Sequence, residues 1–155
     1  MRVEYINPFV EAAYNVIQEV LQSDIVRKDL YLKKTSHPVL GVAAMVGLAG
    51  DVEGRVLIDM SQETALHIAS TMNNEELTEM DELAKATIME MANMITAQAV
   101  TKLFDLGFKF DLTPPSLITG SNMQVSNANE VEALIVPLET PQGLVEINVA
   151  VRERM

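Results

Sequence analysis

The chain has 155 residues, which is enough for one domain with a full hydrophobic core, and we expect a single domain over 1–155. Its formal net charge of -11 at pH 7 argues against nucleic acid and anionic membrane as partners. No apolar run approaches the roughly 20 residues of a membrane span. The N-terminal segment lacks the apolar region of a secretion signal, and the chain contains no cysteine. These features predict a cytoplasmic protein.

The chain opens with a predicted helix. Asn7-Pro8 resembles an N-cap followed by proline at the first helical position. The apolar residues of its predicted buried side are Phe9, Ala12, Ala13, Val16, Ile17, Val20 and Leu21. Residues 31–35 then alternate like a strand, and His37-Pro38 predicts a break.

A hairpin and a second helix follow. Residues 39–48 are nearly all apolar, which is typical of a strand buried on both faces. Gly50-Asp51 predicts a tight turn into an alternating strand over 54–60. Ser61 is the predicted cap of the second helix, and Asn73-Asn74 its end. Its predicted inward residues are Ala65, Ile68, Ala69 and Met72.

A long helix dominates the second half. Thr78, with Asp81 three residues later, predicts the N-cap, and Gly107 predicts the end. Its apolar stripe comprises Ala84, Ile88, Met91, Ile95, Ala99, Leu103 and Leu106. The opposite face carries Ala86, Glu90, Asn93 and Ala97.

Short strands and a second hairpin complete the chain. Residues 108–112 alternate as a short strand that Pro114-Pro115 ends, and 116–119 is extended. Residues 126–129 predict a loop. The second hairpin is predicted at the end of the chain, over 131–138 and 144–151.

Glu90 and Asn93 attract attention because they are i, i+3 neighbours and leave the helix on the same side. Asparagine is a poor mid-helix residue, since its side chain competes for backbone hydrogen bonds. Two interpretations stay open from spacing alone. The pair is either a functional site on a face of small residues, or a solvated face without a role.

Other chemistries find little support. His37 precedes a proline and His67 lies on a short helix, so we predict no metal site. The glycine-containing segment 47–54 lacks the lysine and the following helix of a phosphate-binding loop. The acidic residues near the start of the long helix are interpreted as solvated and favourable to the helix dipole. They are Glu75, Glu76, Glu79 and Glu82.

A weak internal repeat relates the two halves. Segments 46–59 and 136–148 share a V-x-L turn, a glycine and an alternating apolar strand. Glu11-x-x-Tyr14 in the first helix corresponds to Glu90-x-x-Asn93 in the long one. The order of elements predicts an α+β fold with an antiparallel sheet packed against three helices, as a pseudo-repeat of helix plus β-hairpin.

At this point the residues resemble a known family. Glu90-x-x-Asn93, followed after a strand by Thr113-Pro114-Pro115, is similar to the signature of the CheC/CheX/FliY phosphatases of bacterial chemotaxis. Residues 80–120 and 46–72 resemble the CheX type most, so the likeness covers nearly the whole chain.

The resemblance implies dephosphorylation of the aspartyl phosphate of the response regulator CheY. Asn93 would orient the attacking water, and Glu90 would pair with a lysine of the regulator. Ala86, Met89 and Ala97 would border the contact with this partner. No cofactor of its own is implied, because Mg²⁺ belongs to the regulator's pocket. The resemblance further implies a homodimer formed through sheet edges.

One departure keeps an alternative open. Family members usually carry Asp or Ser four residues before the glutamate, where this chain has Ala86, and the neighbouring Thr87 points about 100° away. Ala86 favours a non-catalytic chemotaxis or flagellar-switch adaptor that binds a regulator without hydrolysing its phosphate. A sheet-forming dimer of unrelated role is a third possibility.

Overall fold

A computed structural model of the chain describes residues 3–33, 37–120, 124–125 and 133–153. The helices are α1 (Val3–Leu21), α2 (Gln62–Asn73) and α3 (Glu82–Asp105). The strands are β1 (Val26–Arg27), β2 (Tyr31–Lys33), β3 (His37–Pro38), β4 (Val42–Gly50), β5 (Val52–Met60), β6 (Phe110–Leu112), β7 (Ser116–Thr119), β8 (Gln124–Val125), β9 (Ala133–Thr140) and β10 (Gly143–Glu153). No helix in the described ranges is long and apolar enough to cross a membrane.

The strands form one antiparallel sheet and a small separate ribbon. The order in the sheet is β1-β9-β10-β5-β4-β6, with β2 also on β9 and β7 also on β4. Each edge is therefore made of two short strands, whereas the four central strands are long. The ribbon pairs β3 with β8. An α+β fold with three helices and an antiparallel sheet is confirmed.

The predicted pseudo-repeat is visible in the topology. Each half consists of a helix, two short edge strands and a hairpin: α1 with β1, β2, β4 and β5, then α3 with β6, β7, β9 and β10. The edge strands of each half pair with the hairpin of the other half, and β5 pairs with β10 at the centre. The two halves are thus interleaved and cannot be separated as compact units.

All three helices contribute to one hydrophobic core with the same face of the sheet. Phe9, Ala12, Ala13, Val16 and Ile17 are buried in α1, as predicted, whereas Val20 is only half-buried. In α2, Ala65, Ile68 and Ala69 are buried, and Met72 packs against the core from a half-buried position. Strand side chains alternate, so Ile58 and Met60 enter this core while Asp59 points to the opposite face.

The start of α1 differs from the prediction. The helix begins at Val3 and contains Pro8 in its interior, so Asn7-Pro8 is not the N-cap. A proline near a helix start removes one backbone hydrogen bond, but its fixed φ is compatible with the helix. Ile6 is buried in the core, and its burial stabilises the helical conformation of the residues that precede Pro8.

Strand ends also shift by a few residues. The first hairpin uses Val42–Gly50 and Val52–Met60, where 39–48 and 54–60 were predicted. The strand predicted over 108–112 begins at Phe110, and the one over 116–119 is confirmed. The second hairpin extends further than predicted, to Thr140 and to Glu153. Residues 34–36, 126–129 and 131–132 of these predictions lie outside the described residues.

Candidate functional site

The candidate site lies on α3, and both ends of this helix are capped. Asp81 is the N-cap, and its carboxylate accepts a hydrogen bond from the Ala84 amide at 2.9 Å. Thr78 was therefore predicted wrongly as the cap. The connection before α3 is attached to α2, because the Leu77 amide donates to Ser70 Oγ at 2.9 Å, and the helix begins only after it.

The predicted end at Gly107 is confirmed. Gly107 has φ +95° just beyond the C-cap Leu106. The Phe108 amide donates to the Leu103 carbonyl at 3.1 Å, and the Gly107 amide donates to the Phe104 carbonyl at 2.9 Å. This is the hydrogen-bond pattern of a Schellman motif, which requires the left-handed backbone that glycine adopts readily.

One side of α3 is buried against the core, as predicted for six of the seven stripe residues. The buried six are Ala84, Ile88, Met91, Ile95, Ala99 and Leu103. Leu106 is the exception, with 56% of its surface exposed, because it lies beyond the last helical turn and leaves the stripe.

The opposite side of α3 is open. Ala86, Glu90, Asn93 and Ala97 are all exposed. The Thr96 hydroxyl donates a hydrogen bond to the backbone carbonyl of Asn93 at 3.1 Å, and this bond does not involve the Asn93 side chain. No described residue pairs with the side-chain carboxylate of Glu90 or the side-chain carboxamide of Asn93. A carboxylate and a carboxamide therefore project together from a rigid helix, and a partner protein could contact both.

Thr87 does not belong to this face. It is 9% exposed, its hydroxyl donates to the Leu83 carbonyl at 2.8 Å, and it accepts a hydrogen bond from Asn73 Nδ2 at 2.8 Å. Because this hydroxyl connects α3 to the end of α2, Thr87 is not a substitute for the polar residue missing at Ala86.

The methionines of α3 differ in environment. Met91 is fully buried and Met94 packs against the core from a half-buried position. Met89 is half-buried at the border of the open face. A flexible thioether at that border suits a transient contact.

Thr113-Pro114-Pro115 shapes the sheet edge below α3. The Thr113 hydroxyl accepts a hydrogen bond from the Gly47 amide at 2.8 Å, and the Thr113 amide donates to the Gly47 carbonyl at 3.0 Å. The prolines lie between β6 and β7, where strand pairing with β4 is interrupted. A Cβ on residue 47 would lie 3.2 Å from Thr113, so the glycine permits this close approach.

The counterpart of the site on α1 is used inside the chain. Glu11 accepts a hydrogen bond and ion pair from Lys102 of α3 at 2.6 Å, and Tyr14 packs against the core. The glutamate of the first repeat is thus engaged by the chain itself, whereas no residue in the described ranges engages Glu90 of the second repeat.

The strongly perturbed acid lies elsewhere. Asp59 is 3% exposed on the sheet face opposite the helices, and both of its oxygens accept from the Leu40 amide at 3.0 Å. Burial, together with the facing Glu146, raises the pKa of Asp59 from 3.8 to about 6. The Leu40 contact gives this carboxylate a structural role, so we do not place it in the site.

Two other titratable groups with shifted pKa values lie on the same face of the sheet as Asp59. Burial raises the pKa of Tyr31 to about 12, assisted by the hydrogen bond that its hydroxyl donates to Glu146 at 2.7 Å. Burial also lowers the pKa of Arg55 to about 10, and this side chain donates to Asn148 Oδ1 at 3.0 Å.

Asp59→Asn is expected to raise the free energy of unfolding at pH 7, by at most about 3 kcal/mol. The folded-state pKa of Asp59 lies above its ordinary value, so the folded wild type loses stability as the pH rises from about 4 to about 6. The neutral amide avoids this loss and keeps an acceptor for Leu40. Urea unfolding at several pH values measures the difference in free energy of unfolding between the variant and the wild type. The gain in the variant should vanish below about pH 4. A gain that does not depend on pH would contradict the raised pKa of Asp59.

His67 is exposed on α2, and the described residues contain no group of three or more metal-binding side chains. The side chain of His37 lies outside the described part of the chain.

Two large apolar residues were missed by the sequence analysis, Leu83 and Phe104, which are 44% and 49% exposed on the open side of α3. Their signal was the seven-residue spacing with Glu90 and Ala97.

Comparisons with known proteins agree with this architecture. The model of the family described as chemotaxis phosphatase CheX matches residues 42–139. The CheY-P phosphatase CheX of Thermotoga maritima is 30% identical over 130 residues, which are 82% of this chain and 83% of that protein.

Solved structures are similar over nearly the full length. A chain of the CheX–CheY–BeF3–Mg²⁺ complex from Borrelia burgdorferi is 43% identical with a TM-score of 0.85, covering 98% of this chain and 100% of that one. A CheC-like superfamily protein from Shewanella sp. PV-4 is 25% identical with a TM-score of 0.89, covering 98% and 99%. The chain described here belongs to the CheX family of chemotaxis phosphatases.

Proposed function

We propose that this chain hydrolyses the aspartyl phosphate of a phosphorylated CheY-type response regulator in the cytoplasm, with Glu90 and Asn93 as its site. The observation that carries the proposal is the carboxylate of Glu90 and the carboxamide of Asn93 side by side on the exposed face of α3, where no described residue pairs with either. The 30% identical relative named a CheY-P phosphatase and the 43% identical chain in a complex with CheY support the choice of substrate.

The proposed reaction requires little covalent chemistry from the residues of the site. Phosphoryl transfer is accelerated mainly by positioning and by stabilisation of charge, and little covalent work is needed. Mg²⁺ and a lysine in the regulator's own pocket stabilise the charge, so this chain needs no cofactor of its own. Its contribution is to place the attacking water in line with the phosphorus.

Asn93 is the proposed catalytic residue. An amide both donates and accepts hydrogen bonds, so it can hold a water in one orientation without competing as a nucleophile. The helix supplies rigidity, because α3 is capped at both ends and packed along its buried side. Small neighbours, Ala86 and Ala97, leave space for the regulator's surface on either side.

Glu90 is the proposed docking residue, which would pair with the regulator's lysine. Glu90→Ala is expected to raise KM for the phosphorylated regulator by at least about tenfold, since truncating one partner of an interfacial charge pair costs more than about 1.4 kcal/mol. Steady-state phosphate release measures KM and kcat separately. Glu19→Ala is the matched control, because it removes the same charge from an exposed position on α1. An unchanged KM in Glu90→Ala would remove the docking role.

The test of the function as a whole is direct. Candidate regulators are phosphorylated with a small-molecule phosphodonor, and loss of phosphate is followed with and without the protein. Acceleration of loss supports the phosphatase. Binding without acceleration would support the adaptor alternative, which the alanine at position 86 favours.

A homodimer formed through sheet edges is part of the same proposal. Val26 of β1 and Leu32 of β2 are 54% and 53% exposed on one edge of the sheet, and a second copy would cover such apolar side chains. Sedimentation equilibrium decides this point, and the mass of a single 17.1 kDa chain would remove the dimer.

A further inference from the structure

The open face of α3 extends well beyond the Glu90–Asn93 pair. Leu83, Glu90, Ala97 and Phe104 follow one another at intervals of seven residues, and at about 100° per residue they share one side of the helix. Ala86 and Asn93 lie on the same side. The face spans about 30 Å from Leu83 to Phe104, at 1.5 Å per residue. This is about the width of a standard protein–protein interface.

The composition of this face is graded from its centre to its ends. Its centre is polar and small, with Glu90 and Asn93 between Ala86 and Ala97. Its ends are large and apolar, with Leu83 44% exposed and Phe104 49% exposed. Interfaces derive most of their affinity from a few such side chains that become desolvated on binding. Small residues between them permit close approach of the partner.

Phe104 is also held in place before any partner arrives. Its ring stacks on that of Phe110, with centroids 5.5 Å apart and planes 8° apart. One face of the ring is thus occupied within the chain, while half of the residue's surface remains exposed. A rigid aromatic side chain loses little conformational entropy on binding, which favours its use as an anchor.

We infer that Leu83 and Phe104 are the apolar anchors that hold the response regulator along α3, on either side of the Glu90–Asn93 pair. This inference rests on the proposed function and adds to it the residues that set affinity. The occupant is the regulator because the anchors share a face with the proposed catalytic amide, and the complex of a 43% identical chain includes CheY. A regulator docked at Asn93 must lie over the turns on both sides of it.

The two anchors have a structural contrast in Leu106. It is 56% exposed, like them, but it faces the opposite side of the helix end, where it lines a groove with Pro8 and Glu11 of α1. Leu106 therefore offers a control with similar exposure, near Phe104 in the chain and away from the open face.

The experiment compares Leu83→Gln and Phe104→Gln with Leu106→Gln. The probe is the regulator loaded with beryllofluoride and Mg²⁺, and titration calorimetry gives Kd. We expect each anchor variant to weaken binding about tenfold while kcat at saturating phosphorylated regulator is unchanged, and Leu106→Gln to retain the original Kd. Phe104→Leu should recover most of the affinity, because leucine restores an apolar side chain at this position.

Several outcomes would overturn the inference. Unchanged Kd in both anchor variants, or an equal loss in Leu106→Gln, would remove the anchors from the interface. If Leu83→Gln and Phe104→Gln change the mass of the protein in solution but leave Kd for the regulator unchanged, the open face of α3 contacts a second copy of the chain instead. If Phe104→Gln lowers Tm enough to explain its loss of affinity, and Leu83→Gln does not lower Tm, then Phe104 has a role in folding and is not an anchor. If the unaltered chain binds and dephosphorylates no regulator, the proposed function itself fails.

Discussion

Replacing Asn93 with alanine is expected to slow the hydrolysis of phosphorylated regulator about 100-fold while the complex still forms. A factor of 100 corresponds to about 2.7 kcal/mol of the activation barrier. This is within reach of a single group that orients the attacking water. The effect should appear in kcat, because the amide acts on the reacting water and the docking contacts stay in place.

The same substitution should not harm the fold. Asn93 is exposed, and alanine has a higher helix propensity than asparagine, by about 0.5 kcal/mol. We therefore expect Asn93→Ala to raise Tm slightly while it removes activity. Single-turnover phosphate release and thermal unfolding together provide the measurement.

The matched control is Asn15→Ala, which makes the same change at an exposed position of α1. It should raise Tm in the same way and leave phosphate release untouched. Full activity in Asn93→Ala would contradict the proposed mechanism. Loss of regulator binding in that variant would transfer Asn93 from catalysis to docking.

Gly54→Ala is expected to have the largest effect on stability. Gly54 has φ +142° on β5, directly opposite Val151 of β10 at the centre of the sheet. A Cβ there would overlap the carbonyl oxygen of Ala150 and lie 2.8 Å from the Val151 Cα. The obstacle is backbone of a central strand, which cannot move without breaking the ladder between β5 and β10. We expect a loss of more than about 4 kcal/mol, which would leave much of the chain unfolded.

Gly107→Ala separates the clash from the backbone effect. Gly107 also has positive φ, at +95°, but a Cβ there would meet no atom within 4 Å. Its expected cost is the conformational penalty alone, about 1 kcal/mol. Urea unfolding of both variants measures the difference. Similar losses of unfolding free energy in the two variants would show that the close approach of β10 does not exclude a side chain at position 54.

The differences at helix starts show where local signals compete. Thr78 and Asp81 are both good capping residues, and sequence alone does not rank them. The structure uses Asp81 because the Leu77 amide is engaged by Ser70 of α2, so the chain before residue 81 follows the surface of another helix. Pro8 is a second case, since burial of Ile6 continues α1 past a predicted boundary.

The amino-acid sequence by itself determined the inward and outward sides of the helices, the two hairpins, the repeat and the candidate pair Glu90–Asn93. These features depend on spacings of two to four residues, which are readable in any short window. The interleaving of the halves was decided only by the tertiary structure, as was the contrast between Glu11, engaged by Lys102, and the open Glu90. Glu11 and Lys102 are 91 residues apart in the chain, and no local periodicity carries information over such a separation. Only packing of α1 against α3 brings them together.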